Sequence, residues 1–438
     1  MKKIVHTLVA LLFIFSANAQ TPKYPFPAHT VYANGTIKPN NYTQKQLDQQ
    51  VKNFYDKWKT RYIKAGCVAG QYYIWYNDNG DNGNAITVSE AIGYGMVITP
   101  LMAGYDTSAK KYFDGLYAWY KTHPSNVNPT LMNWQQKTGC ISIGNDAATD
   151  GDLDAAFGLL LADKQWGSNG AVNYLQAAKD IINAIKQSEV YAIASSLQLG
   201  DWAHTDRKYK NGTRPSDFMY DHLRCFKNAV NDTTWTSVLN ECYKLVNDMQ
   251  QNFSQITGLI PDFIIGTGGS PQPAPANYLE SANDGAYYYN SCRTPWHLGC
   301  DFVLNGDSRA KVASDKINTW IQSTTGGNSH KIKSGYKLDG SNINGNNYED
   351  LSFIAPFGVS AMVNSNNQAW LNDIWTNVIG VTNLNRDTYF GNTIKMLCMI
   401  IMSGNMWAPN HLPVMNQSAQ EQKTGDRNLM GFIPSASE

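Results

Sequence analysis

The sequence predicts an all-α protein in which about a dozen helices pair into a closed toroid, an (α/α) barrel. Three observations point there. Apolar residues recur at helical spacing in about twelve segments. Long loops rich in Gly, Asn and Pro separate many of them, notably 188–214, 257–282 and 324–349. No repeat of fixed period is visible, and a solenoid usually carries one, so the toroid is favoured over the solenoid. No linker divides the chain, and residues 20–438 are expected to form one domain.

Taken in order, the chain opens with Lys2 and Lys3, an apolar run from Leu8 to Phe15, and Ala17-Asn18-Ala19. That is a secretory leader with cleavage expected after Ala19, so a secreted or periplasmic protein is expected. The run is too short to span a membrane. Residues 20–42 read as an extended lead-in. Thr43 with Gln46 forms a capping-box pattern, and Leu47, Val51, Phe54, Tyr55, Trp58 and Tyr62 follow at helical spacing. DNGDNGN at 78–84 marks tight turns. Ser89 and Glu90 open a helix that Pro100 should kink or distort. Further helices are expected near 107–122, 152–164, 171–187, 215–229, 233–252, 285–304, 308–323, 350–363, 366–377 and 387–402.

Composition narrows the function. Of 438 residues only 16% are charged, while 12% are aromatic, with 25 Tyr and 12 Trp. Rings that stack on pyranose faces and amides that bond hydroxyls suit a sugar ligand. Without Lys2 and Lys3 the chain holds 33 basic against 35 acidic residues, about −2. No basic patch invites nucleic acid, no segment invites a membrane, and a monomer is the expected state. Seven scattered Cys do not read as a disulfide scaffold, and buried free thiols are the default expectation. His204, His222 and His297 lack metal-ligand spacing, so neither metal nor cofactor is expected.

The stretch from Ala148 to Trp166, ATDGDLDAAFGLLLADKQW, sets Asp150, Asp152 and Asp154 ahead of a helix rich in small residues. Thr149 or Asp150 is a candidate cap, and acids suit the positive end of a helix dipole. Ala155, Ala156, Gly158 and Ala162 let a neighbouring helix approach closely. Glu90 lies in SEAIGYGM, where Gly93 and Gly95 are expected to leave room for substrate beside the backbone. A Glu there is commonly only a dipole partner, and as a general acid it needs burial or a nearby negative charge to keep its proton. Glu280 follows Pro271, Pro273 and Pro275 on a loop that leads to Tyr287-Tyr288-Tyr289. Glycoside hydrolysis usually needs two such carboxyl groups.

These residues carry a resemblance. ATDGDLDAAFGLLLADKQW resembles the signature of family 8 glycoside hydrolases, with Ala155 in place of Ile or Met and Gly158 in place of Ser or Ala. SEAIGYGM resembles the element bearing the family's general acid, with Ala91 and Ile92 as departures. LGDW at Leu199–Trp202, TRPSDFM at Thr213–Met219 and YYYNSCRTPW add to the match, which runs in order from about residue 25 to 410. The commonest branch of that family has an Asp as general base where this chain has Asn290, and an amide cannot take a proton from water at neutral pH. A second branch, with bacterial chitosanases and lichenan-degrading glucanases, also has Asn there and uses a loop Glu ten residues earlier. QPAPANYLE resembles that loop, and its Glu is Glu280.

The resemblance implies an inverting endo-β-1,4-glycanase on an (α/α)6 barrel. Glu90 is then the general acid, Glu280 the general base, and Asp150 the group that orients sugar at the cleaved bond. Trp134, Trp202 and Tyr288 are candidate stacking platforms, and Asp201, Asn290 and Arg293 further substrate contacts. Arg214 and Asp217 form a structural ion pair or line the cleft, and the structural reading is preferred. Asp146, Asp150, Asp152, Asp201 and Asp284 together suggest an acidic groove, which with the 271–290 loop places chitosan just ahead of β-1,4 or mixed-linkage glucan. No xylanase activity is expected. A non-catalytic glycan-binding protein and a polysaccharide lyase are the rival classes.

Overall fold

The computed structural model describes residues 21–379 and 383–414. The expected leader, 1–19, lies outside the described residues. Twelve α-helices occur among them: α1 (Gln44–Tyr62), α2 (Ser89–Leu101), α3 (Ala109–Thr122), α4 (Thr149–Trp166), α5 (Tyr174–Ser188), α6 (Tyr220–Val230), α7 (Thr234–Asn252), α8 (Thr294–Asn305), α9 (Ser308–Thr325), α10 (Leu351–Ala361), α11 (Gln368–Ile379) and α12 (Tyr389–Met402). The even-numbered helices form a closed inner ring. α2 packs on α4, α4 on α6, α6 on α8, α8 on α10, α10 on α12, and α12 returns to α2. Each odd-numbered helix backs an inner one, and α1 backs α12. This is the expected (α/α)6 barrel.

Burial explains the division. A helix inside a ring needs apolar or small residues all round, whereas an outer helix needs only one stripe. In α10 every residue is buried, and in α8 only Asn305 is not. α1 buries Leu47, Val51, Phe54, Tyr55, Trp58 and Tyr62 and turns its other face to solvent. A connected cluster of buried apolar side chains runs from Phe26 to Ala408.

α2 and α4 meet backbone to backbone. A Cβ on Gly151 would lie 2.5 Å from the Ser89 carbonyl carbon, and one on Gly158 would lie 2.7 Å from the Met96 carbonyl oxygen. Gly93 serves the same contact, because its Cβ would lie 2.7 Å from that of Asp154. Gly93 and Gly95 therefore serve helix packing, not substrate access as expected.

Connections alternate in length. Inner helices pass to outer ones through short turns, such as 306–307, where Gly306 takes φ +67°. Outer helices return to inner ones through long loops, such as 123–148, 189–219, 253–293 and 326–350. The long loops therefore gather where the inner helices begin.

Several local expectations change. The capping box at Thr43 and Gln46 forms. Neither Thr149 nor Asp150 caps α4: Ala148 is the N-cap, with no side-chain bond, and Thr149 donates its hydroxyl to the Gln198 carbonyl instead. Pro100 falls in the last turn of α2, which ends one residue later. Residues 285–290 are not helical. Asp262 accepts the N–H groups of Tyr288, Asn290 and Ser291 and holds them in a turn, and a short 3-10 helix, Ser291–Arg293, leads into α8. Cys67 and Cys140 form a disulfide between two loops, against the free-thiol expectation. The other five cysteines are buried free thiols. A separation of 73 residues hides such a pair from the sequence. Among the described residues no helix is long and apolar enough to cross a membrane.

Candidate active site

The inner helices aim their N-terminal ends at one point. Glu90 is the second residue of α2, Asp150 the second of α4, Arg293 the N-cap of α8 and Tyr389 the first residue of α12. Arg293 joins them. Its Nη1 donates to Glu90 Oε2 at 2.8 Å, to Asp150 Oδ2 at 3.1 Å and to the Tyr94 hydroxyl at 3.1 Å. Its Nη2 donates to Ser216 Oγ at 3.0 Å and Asn290 Oδ1 at 3.1 Å. A guanidinium offers five N–H donors in a rigid fork and accepts nothing, which suits it to gather carboxylates and amides around one centre.

Glu280 enters this network from the loop. Asn290 Nδ2 donates to Glu280 Oε2 at 2.8 Å. The loop itself is organised by Asp284, whose buried carboxylate accepts the N–H groups of Leu279 (2.7 Å), Glu280 (3.0 Å) and Ser281 (2.7 Å). Beneath it lies a small apolar cluster of Leu199, Ala203, Phe263, Ala274 and Tyr278, with Trp202 and Leu279 packed against it. Antiparallel strand pairs between Gly212–Thr213, Ile264–Ile265 and Gln272–Pro273 frame the loop's base.

The electrostatics separate two carboxyl groups that share one arginine. Burial pushes the Glu90 carboxyl up; Arg293 opposes this, the Asp150 charge adds to it, and the result is a pKa of about 7. Burial would also raise Asp150, but Arg214 and Arg293 outweigh it and hold that carboxyl below the usual range. Glu90 can thus carry a proton near neutral pH while Asp150 stays ionised. That is the division a general acid and a charged neighbour require. The Tyr389 hydroxyl donates to Glu90 Oε1 at 3.2 Å and fixes the second oxygen.

Of the residues singled out in the sequence, Glu90, Asp150, Glu280, Asn290 and Arg293 meet in this one network. Trp134 adjoins it, since its carbonyl accepts the Ser89 N–H at 2.9 Å. Its side chain is exposed, at 38%. Trp202 and Tyr288 are half-buried. Trp202 stands edge-on to Tyr209, and Asn346 donates to the Tyr288 hydroxyl. Tyr287 is core.

Four expectations are corrected. Asp201 is not free for substrate: it is 2% exposed and accepts from Ser125 Oγ and from the N–H groups of Asn128 and Ala147, tying three loop segments together. Asp152 and Asp154 do not serve the helix start. Asp152 accepts from the Tyr120 hydroxyl and the Met132 N–H, and Asp154 pairs with His222 at 2.9 Å. Arg214 reaches Asp150 at 3.4 Å while the buried Asp217 also acts on its charge, so Arg214 belongs to the site and is not only half of a structural pair. The acidic groove does not form either: Asp150, Asp152, Asp201 and Asp284 are buried, and only Asp146 of the five is partly exposed.

Sequence reasoning missed Tyr94, Ser216, Asp262, Tyr389 and the role of Asp284. Tyr94 had a signal, since it lies four residues after Glu90 on one helix face. Tyr389, 299 residues from Glu90, had none.

A model of glycosyl hydrolases family 8 matches residues 25–404. The chain belongs to this family. It is 50% identical over 401 residues to a beta-glucanase of Niallia circulans, covering 91% of this chain and 94% of that protein. It is 41% identical over 392 residues to an endoglucanase of Bacillus sp. (strain KSM-330), covering 88% and 82%. The apo structure of a beta-1,3-1,4-glucanase from Paenibacillus sp.X4 superposes with a TM-score of 0.84 at 50% identity, over 89% of this chain and all of that one. As a family 8 member the chain is a glycoside hydrolase. The Arg293 network lies where the family signature and the acid-bearing element of the sequence come together.

Proposed function

We propose that this family 8 hydrolase is an endo-acting, inverting glucanase that cuts β-1,4 bonds of a neutral β-glucan, of the cellulose or mixed-linkage type. The observation that carries the proposal is the Arg293 network, which ties Glu90, Asp150 and, through Asn290, Glu280 into one site. Glu90, protonated near neutrality, gives its proton to the glycosidic oxygen as the bond to the anomeric carbon breaks. Glu280 removes a proton from water, which attacks that carbon from the opposite face. The carboxylate left on Glu90 is met by donors already in place on Arg293 and Tyr389, so little reorganisation is needed. Asp150, ionised between Arg214 and Arg293, is the proposed sugar-orienting group. Its charge adds to the burial that keeps the proton on Glu90.

The polymer preference differs from the one read in the sequence. Chitosan is a polycation and calls for exposed negative charge, but four of the five candidate groove acids are buried and engaged by the protein's own donors. The relatives at 50% and 41% identity carry the names beta-glucanase and endoglucanase. Both points favour neutral glucan over chitosan. The test is a set of parallel initial rates on lichenan, carboxymethylcellulose, chitosan and xylan, with NMR of the first sugar released. Fastest turnover of a glucan with the α-anomer appearing first is expected. Faster release from chitosan overturns the substrate, and a β-anomer overturns inversion.

A further inference from the structure

We propose that Asn290 is a positioning residue, an amide bridge that fixes the Glu280 side chain relative to Glu90 by taking its own orientation from Arg293. The inference rests on the reading of Glu280 as general base and assigns that base a support. The sequence suggested another role for this position, a substrate contact.

The chemistry at the two ends of the bridge dictates the residue. Arg293 can only donate, and an ionised Glu280 can only accept. A side chain joining them must accept at one end and donate at the other. The Asn290 amide does so, with Oδ1 3.1 Å from Arg293 Nη2 and Nδ2 2.8 Å from Glu280 Oε2. The amide's orientation follows from its partners, since a flipped amide would set N–H groups against a guanidinium and an oxygen against a carboxylate. An ionised Asp could satisfy Arg293 but would place a second carboxylate against Glu280.

The bridge is itself held firmly. Asn290 is buried, its N–H donates to Asp262 Oδ2 at 3.2 Å, and its carbonyl accepts Arg293 Nε at 3.3 Å. Glu280 by contrast is exposed, and among the described residues the Asn290 amide is the hydrogen-bond partner of its carboxylate. Asp284 fixes the Glu280 backbone but leaves the carboxylate free to swing. The path Glu90–Arg293–Asn290–Glu280 is three hydrogen bonds long and sets acid and base in one frame. Asn290 moves no proton and needs no contact with sugar to do this.

The charged groups around Glu280 are Arg214, Arg293, Asp262 and Asp284. All remain when Asn290 is changed, and Asp262, which burial pushes up to about 7, keeps the Asn290 backbone N–H in each variant. The experiment measures kcat, KM and the pH profile of wild type, Asn290→Ala, Asn290→Asp and Glu280→Gln on lichenan, or on the polymer the rate comparison ranks first. Asn290→Ala is expected to lose kcat by about 100-fold, the scale of a misplaced catalytic group, with KM changed by less than about twofold. A base that loses a donor holds its proton more strongly, so the acid limb of kcat/KM moves to higher pH. Asn290→Asp, which keeps the shape, should move that limb further, because two facing carboxylates compete for one proton. If Asn290→Ala does not fold, as judged by circular dichroism and melting temperature, the isosteric Asn290→Asp decides by its acid limb alone. Wild-type kcat and an unmoved acid limb in the Asn290 variants, with Glu280→Gln inactive, overturn the bridge and leave the base in place. A fully active Glu280→Gln enzyme overturns both.

Discussion

Glu90 and Glu280 stand at opposite ends of one hydrogen-bond chain, yet the walls behind them are built differently. Glu90 projects from α2, whose backbone touches that of α4 through Gly93, Gly151 and Gly158. Close-packed interiors resist displacement, so core packing sets the place of the acid. Glu280 projects from a loop resting on a small satellite cluster and gathered by the Asp284 carboxylate. Polar contacts set the place of the base. Damage behind the acid should therefore appear first as lost stability, and damage behind the base first as lost turnover.

Three substitutions test that contrast. Glu90→Gln removes the proposed proton donor and should lower kcat by about 1000-fold, within the range for a general acid. The wild-type profile should also fall as pH rises through about 7, where Glu90 loses its proton, and that limb should be missing from residual Glu90→Gln activity. Asp284→Ala leaves three N–H groups without their acceptor and releases the Glu280 loop. It should cost kcat about 10- to 100-fold, as for a catalytic group set adrift, with far-UV circular dichroism unchanged. A stable, fully active Asp284→Ala enzyme would show that the loop is held some other way. The smallest effect on activity is expected from Gly158→Ala, whose new Cβ would meet the Met96 carbonyl at 2.7 Å. Overpacking of this kind costs about 1–3 kcal/mol, read from denaturant melts, while kcat of the folded fraction stays near wild type. A large kcat loss there, without destabilisation, would remove the distinction between the two walls.

Much of this was open to a reading of the chain. Helical periodicity located the twelve helices, and the Gly-, Asn- and Pro-rich stretches marked the long loops; that these gather at one end came from the fold. Only the start of the 285–304 helix differs, because a single distant carboxylate, Asp262, claims N–H groups that a helix would have used and α8 begins at Thr294. The acids divide in the same way. Glu90 and Asp150 stood out because SEAIGYGM and ATDGDLDAAFGLLLADKQW, which carry them, resemble family 8 elements. Asp152, Asp201 and Asp284 looked equally available, and only the folded chain brings Tyr120, Ala147 and Leu279 against them.

By itself the sequence determined what depends on near neighbours: the helices, the small residues on α4 that admit a close neighbour, and the chemical type of each candidate group; that α2 is that neighbour came from the fold. The departure at Asn290 also lay in the sequence, and it directed attention to Glu280. The tertiary structure alone decided which carboxylates face solvent and which face backbone donors: the donors on Asp152 and Asp201 lie 20 to 73 residues away, and those on Asp284, though only three to five residues away, reach it through an irregular turn that no local pattern announces. It also decided that one arginine, itself 2% exposed at the side chain, holds Glu90, Asp150 and the Asn290 bridge to Glu280 together. A buried charge needs partners from every side, and only closure of the ring brings α2, α4, α8 and α12 near enough to provide them.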